Sequence, residues 1–391
     1  MKPKLLDGNG RYYELDSLRG LAALTVMIHH ILLVLPAFML PYAAPMPGLV
    51  HLIRFTPLGI IMAGREAVIF FFVLSGFVLA LPFLKRPSVL PYRPFITKRV
   101  FRIYPAYFVA VAFAILMNIL CYRGAVPDLS GWFAAFWAPH IDWRVAGQHL
   151  FLITDFDFLR FNNVIWSLVM EMRLSLLFPL LIYFALKFGW RTNLVGGILC
   201  SFIGWGFQFL LHQGLVHFES EYFDTFCYVI MFVVGVQLAI HRDRLKAKFL
   251  TLKKPAKHAA FVITVLIYTN AFWMEHCFAS PVMQKILFSQ ITRDFMVTAA
   301  VASFIVMALA SGKISRILLL KPVHYLGRIS YSFYLFHAVC LVALLHLFYG
   351  VLAFPLIIGM VVLASFAIAA ASYHWIEIPF MNLGKRLAKN L

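Results

Sequence analysis

Two adjacent imidazoles, His29 and His30, stand inside an apolar run that starts after Arg19. At 100° per residue, Arg19 and His30 return to within about 20° of one helical face, about 16 Å apart along the axis. Asp16 lies about 40° off that line, while His29 points about 80° away. One stripe therefore carries an acid and a base at the helix mouth, then an imidazole near the bilayer midplane. Imidazole titrates near neutrality, so it suits removal of a hydroxyl proton or covalent capture of an acyl group. The plain alternative for His30 is a histidine packed by a hydrogen bond to another helix. Ionisable residues inside apolar spans are costly and tend to mark sites, and the aligned arginine favours the working role. His29 is its neighbour.

Further polar residues interrupt other apolar runs. FNNVIWSLVMEMRLSLLFP carries Glu171, with Ser167 and Ser175 one turn away on either side and Arg173 facing elsewhere. A buried carboxylate there can orient a histidine, accept a hydroxyl proton or pair with an arginine. Asn162 and Asn163, just before it, read as loop caps or sugar-binding amides. In GRISYSFYLFHAVCL, Ser330, Tyr334 and His337 fall on one helical face. They are catalytic parts or helix-to-helix hydrogen bonds. Glu377 in HWIEIPF is an interface residue or a partner for Arg19. Lys98, Arg99 and Arg102 gather at one helix mouth, with Lys85, Arg86 and Arg93 in the same connection. Such a cluster anchors a cytoplasmic loop, or its arginines grip a phosphate bidentately.

These residues need membrane helices to position them. The 391 residues are 62% hydrophobic and 13% charged, against about 25% charged in soluble proteins. Apolar runs near 20 residues, long enough for a bilayer core of about 30 Å, recur throughout. They predict an all-α membrane protein of about ten transmembrane helices in a single bundle. The expected spans are 20–40, 67–84, 104–121, 164–186, 194–211, 225–241, 259–276, 295–312, 329–349 and 352–375. The last two form a tight hairpin around Gly350. With both termini inside, 26 of the 34 Lys and Arg fall in inner segments and seven in outer loops, which supports an N-in, C-in orientation. The first run reads as a retained helix rather than a cleaved signal.

The formal net charge of +18 follows from that loop bias and needs no nucleic acid. Residues 1–391 read as a single transmembrane domain with no separate soluble domain. The long outer connection 122–163, rich in aromatics and acids (Trp132, Trp137, Asp142, Trp143, Asp155, Asp157), has the length of a functional lid or binding loop. Cys121, Cys200, Cys227, Cys277 and Cys340 are scattered singly, without disulfide or metal spacing. No metal is expected.

Taken together, six stretches resemble the acyltransferase 3 family of multi-helix membrane proteins. They are Arg19-x10-His30; FFFVLSGF around Ser75, Gly76 and Phe77; Arg99-x-x-Arg102 followed by Ile-Tyr-Pro; Trp166-Ser167-Leu168-x-x-Glu171; Gly327-x-x-Ser330-Tyr331-x-x-Tyr334-Leu335-x-His337; and Glu377-x-Pro379. Each is modest alone, but the six lie in order across nearly the whole chain. After Glu171 the chain departs from the family's aromatic residues with Met172-Arg173-Leu174-Ser175.

The resemblance implies transfer of an acyl group, acetyl by default, from cytoplasmic acyl-CoA to a hydroxyl of a cell-surface or exported carbohydrate. It implies a multi-pass protein of the inner (plasma) membrane, with acyl-CoA as co-substrate and no permanently bound cofactor. The expected catalytic residues are His30, Glu171 and His337, with Glu171 or His337 orienting His30 or stabilising charge on the acceptor. Arg19, Arg99 and Arg102 are expected to bind the donor. Ser75, Asn163, Trp166, Tyr334 and Glu377 are expected to bind substrate or support the site. The aromatic loop 122–163 offers flat faces for a sugar ring. The expected partners are acyl-CoA, a carbohydrate acceptor and membrane lipid. A secondary transporter is the rival from another class, although transporters often pair interrupted helices between two halves and no such pairing is visible. A non-catalytic assembly or sensing protein is a third reading.

Overall fold

The computed structural model describes residues 12–40, 45–85, 92–154, 156–157, 160–213, 222–274 and 289–391. Arg86, Asp155 and Cys277 lie outside them. Among the described residues every regular element is helical. The principal helices are α1 (Tyr13–Leu33), α2 (Gly64–Lys85), α3 (Tyr92–Cys121), α4 (Ile165–Lys187), α5 (Trp190–His212), α6 (Val229–Thr251), α7 (Lys254–Tyr268), α8 (Gln290–Ala310), α9 (Lys321–Phe348) and α10 (Phe354–Ser372). A π turn, Tyr373–Glu377, leads from α10 into α11 (Ile378–Leu387).

Eight helices among the described residues are long and apolar enough to cross a membrane: α2, α3, α4, α5, α6, α8, α9 and the continuous segment Phe354–Leu387. The two other expected spans correspond to α1 and α7. Asp16, Arg19, His29 and His30 dilute the hydropathy of α1. The 15 residues of α7 rise only about 22 Å, and the end of the expected span 259–276 lies outside the described residues.

Two boundaries differ informatively from expectation. α1 begins at Tyr13 rather than near residue 20, so Asp16 and Arg19 are helical. α3 begins at Tyr92 rather than near 104, so Lys98, Arg99 and Arg102 also lie on a helix. Pro94 falls in its first turn, where a missing N–H costs nothing, and Pro105 is carried in the interior. The hairpin between α9 and α10 is as expected. Gly350 turns it at φ +79°, a left-handed conformation that glycine adopts without a Cβ clash.

The chain divides into two compact units. The first comprises Met1–Val26, Met46–Val89 and Leu177–Arg328. In it α2 packs on α6 and α8, α5 on α6, and α7 on α8. The Gly76 of SGF faces α6, where a Cβ would collide with the Phe232 carbonyl, and Gly235 returns the fit against the Val73 carbonyl. That close crossing buries Phe72, Phe77 and Phe232, as small residues at membrane helix contacts allow. Gly20 and Gly327 make a second backbone-to-backbone contact in this unit.

The second unit comprises Met27–Pro45, Leu90–Leu176 and Ile329–Leu391. Its core joins Ile103, Ala106, Tyr107 and Ala110 of α3 to Ile165, Leu168 and Val169 of α4 and Leu335 and Phe336 of α9. A second cluster packs Phe133, Phe136, Trp137 and Phe161 of the outer connection against Leu341, Val342 and Leu345 of α9 and Ile357 and Val361 of α10. The connection is thus part of the hydrophobic core.

Candidate active site

His30 and His337 meet in the second unit. Their ring planes lie within 12° of each other, and His30 Nδ1 stands 2.9 Å from His337 Nε2. The protons follow from one anchor. His337 Nδ1 is 3.1 Å from the Phe333 carbonyl, which can only accept, so this nitrogen carries a hydrogen and Nε2 of the neutral ring accepts. His30 Nδ1–H then donates to His337, which leaves the lone pair of His30 on Nε2. Asn163 Nδ2 approaches that atom at 3.5 Å, while Asn163 Oδ1 is buried with no hydrogen-bond partner among the described residues.

The outer connection closes the other face of His30. Ser130 donates its hydroxyl to Leu33 O at 2.5 Å and its backbone N–H to Val34 O at 2.9 Å. It also caps the short helix Gly131–Ala134, its Oγ accepting from Phe133 N. This anchoring lays Trp132 on His30, with centroids 5.1 Å apart and an interplanar angle of 28°. His30 is consequently buried between an imidazole and an indole.

Asn162 donates to Leu335 O at 2.7 Å, fixing the start of α4 beside α9. Ser167 donates to Val164 O at 3.0 Å and shares a 2.7 Å hydrogen bond with the Tyr334 hydroxyl. Trp166 is half-buried in the first turn of α4, and Ser330 is buried on α9. Asn163, Ser167, Tyr334 and His337 therefore gather around one α4–α9 contact.

Glu171 is placed differently. It pairs with Arg99 Nη2, and Arg99 Nε donates to Ser175 Oγ at 2.9 Å. Of the two groups expected to orient His30, His337 is the one hydrogen-bonded to it. Arg99 is buried while Lys98 is exposed. Arg102 reaches the Met381 sulfur at 2.9 Å. Glu377, buried on the π turn, accepts from Ser332 N at 3.1 Å and Ser332 Oγ at 2.5 Å.

In the first unit Arg19 pairs with Asp16 at 3.5 Å, and Ser75 is buried on α2 beside Gly76. This unit also holds an ionic contact not expected from sequence. Arg65 grips Asp294 bidentately, Nε to Oδ1 at 3.1 Å and Nη2 to Oδ2 at 2.7 Å, next to buried Glu66. The signal available was Asp294, an acid close to an apolar run; its partner Arg65 read as an ordinary loop charge.

Further contacts hold the later part of the 122–163 connection. Arg173 donates to Ile153 O at 2.9 Å, and the Tyr107 hydroxyl to His149 O at 2.9 Å. The His149 ring packs on Phe156 and Phe161. Burial pushes its pKa below the ordinary histidine value, opposed by the Val145 carbonyl and by Asp157.

An imidazole with an oriented lone pair, backed by a second imidazole and covered by an aromatic lid, is suited to proton removal from a hydroxyl. The family model described as Acyltransferase domain matches residues 12–374, a range that contains every one of these residues except Glu377 and Met381. No curated protein and no solved structure matches the chain. The chain, with its membrane-type helices, is a multi-pass membrane acyltransferase and belongs to the acyltransferase 3 family.

Proposed function

We propose that the protein transfers an acyl group, acetyl by default, from acyl-CoA to a hydroxyl of a cell-surface or exported carbohydrate. His30 Nε2 is the general base. As the acceptor O–H bond breaks, its proton passes to Nε2 while the oxygen bonds to the acyl carbon. The C–S bond of the thioester breaks, and the imidazolium returns the proton to the CoA sulfur. His337 holds the tautomer and plane of His30, and Asn163 sits where the incoming hydroxyl meets Nε2. The observation that carries this reading is the ordered series Phe333 O, His337, His30, whose donors leave only Nε2 basic.

For the donor, Arg102 and exposed Lys98 offer positive charge in the second unit and Arg19 in the first. Arg99 is engaged by Glu171, so its share in phosphate binding requires that pair to rearrange. The whole chain acts as one domain in the inner membrane, with ten spans and both termini inside. The loop charge bias supports that orientation. Labelled acetyl-CoA supplied to vesicles containing the full protein tests the reading. Wild type is expected to label a carbohydrate and His30→Ala to abolish labelling. An undiminished rate in the folded variant refutes the base assignment, and solute uptake without any covalent product points to a transporter instead.

A further inference from the structure

Two sides of the His30 ring are taken. Its Nδ1 edge is closed by His337 at 2.9 Å, and Trp132 lies over one face with the ring centroids 5.1 Å apart. The other nitrogen, Nε2, faces the side-chain amide of Asn163. Asn163 stands two residues before α4. Its neighbour Asn162 is tied to Leu335 O at 2.7 Å, which restricts where the Asn163 amide can go.

Asn163 is 7% exposed, and its amide is only half satisfied. Nδ2 approaches His30 Nε2 at 3.5 Å, longer than an ordinary hydrogen bond. Oδ1 has no hydrogen-bond partner among the described residues. Buried polar groups are retained where something satisfies them. The two atoms that lack a good donor, Nε2 and Oδ1, can each only accept. Oxygen and nitrogen of one amide are about 2.2 Å apart, so Oδ1 lies within about 5.7 Å of Nε2. A single hydroxyl has one hydrogen and cannot serve both atoms. Two hydroxyls on adjacent carbons can.

We propose that Asn163 makes the acceptor site specific for a vicinal diol, its amide gripping both oxygens of the pair. The reacting hydroxyl accepts from Nδ2 and donates to His30 Nε2. These two atoms are close enough for one oxygen to sit at hydrogen-bond distance from both. The adjacent hydroxyl donates to Oδ1, keeps its proton and is not acylated. Oδ1 gains the donor it lacks, and the base receives its hydroxyl in a fixed orientation. This inference rests on His30 as the base and narrows the carbohydrate reading above. It rejects acceptors whose reacting hydroxyl has no hydroxyl on the next carbon.

The experiment supplies the full protein in vesicles with labelled acetyl-CoA and two sets of acceptors. One set is cyclohexanol, cis-cyclohexane-1,2-diol and cyclohexane-1,3-diol; the other is a panel of methyl pyranosides with their monodeoxy analogues. In wild type, kcat/KM for the 1,2-diol is expected to exceed that for cyclohexanol by about tenfold, the scale of one hydrogen bond. The 1,3-diol should stay within about twofold of cyclohexanol. Asn163→Leu, similar in size but without polar atoms, should reduce the tenfold preference to about twofold or less. Asn163→Asp retains an accepting oxygen and should keep it. Each variant is judged by the ratio between two acceptors, so a rate lost equally on both cancels. Equal kcat/KM for the 1,2-diol and cyclohexanol in wild type overturns the inference without any variant, and a preference that survives Asn163→Leu overturns the role of Asn163. Pyranosides labelled regardless of the neighbouring hydroxyl refute the diol inference and leave the carbohydrate reading intact. A labelled 1,2-diol with no labelled pyranoside does the reverse, and labelling of no acceptor removes both.

Discussion

His30 Nδ1 donates to His337 Nε2 across 2.9 Å, and His337 in turn is held by the carbonyl of Phe333 one turn back on its own helix. The residues are 307 positions apart in sequence. The pair has a counterpart in the first unit: Gly20 contacts Gly327, and each glycine precedes its histidine by ten residues. The glycine in the GRIS stretch thus sets how closely two backbones approach, while the histidine ten residues on meets the ring of His30.

His30→Ala should lower acyl transfer by about 10²–10⁴-fold, the usual worth of a positioned general base. His337→Ala should cost about 10²-fold, because the base remains but its ring is no longer held in plane or tautomer. Label transfer from acetyl-CoA at saturating donor measures both. A His337→Ala rate equal to wild type removes His337 from the site.

Gly327→Ala should destabilise the protein by about 1–3 kcal/mol through overpacking, because the new methyl meets the Asp16 carbonyl. Gly359→Ala, where a methyl on α10 would meet open space, should be neutral or stabilise by about 0.5–1 kcal/mol. Thermal unfolding in detergent of the two variants side by side separates a packing glycine from an incidental one.

Glu171→Ala should strip the partner from buried Arg99 and cost about 3–5 kcal/mol, the penalty of an uncompensated buried charge. Replacing both residues, Arg99→Met with Glu171→Leu, should restore most of that stability. If the double variant also retains its acetyl-CoA half-saturation, the pair is structural. A large rise in half-saturation alone returns Arg99 to the donor site.

Acidification should loosen the outer connection through His149. Its folded pKa is below the unfolded value of 6.5, so below about pH 6.5 the unfolded chain binds a proton that the folded chain resists. Stability therefore falls as pH drops through that range. Melting temperature between pH 7.5 and 5 should decline less for His149→Gln than for wild type. Parallel curves show that His149 does not contribute.

Much of the site was legible because membrane sequence makes polar residues conspicuous. His30 and His337 stand out in apolar runs, and helical phase distinguishes His30 from His29. Other parts were invisible for definite reasons. Arg65 lies next to a loop, and nothing in its neighbours names Asp294, 229 positions away, as its partner. Trp132 is one of several aromatics in the outer connection, and its stacking on His30 depends on Ser130 binding the end of α1. Lys98, Arg99 and Arg102 read as helix-mouth charges because the apolar run begins only after them, whereas the helix itself starts about three turns earlier, at Tyr92.

Sequence alone determined the class of the molecule: apolar runs of bilayer length admit only helices, since backbone groups in lipid must be satisfied within the segment. It also determined the family and nominated the histidines. The tertiary structure decided their partners. Glu171 and His337 were equal candidates to orient His30, and a carboxylate and an imidazole are both chemically able to do so. Side-chain contact separates them: Arg99 takes the carboxylate and leaves His337 to hold His30. Long-range pairing of this kind depends on how helices cross, and helical periodicity within one segment carries no information about the segment opposite.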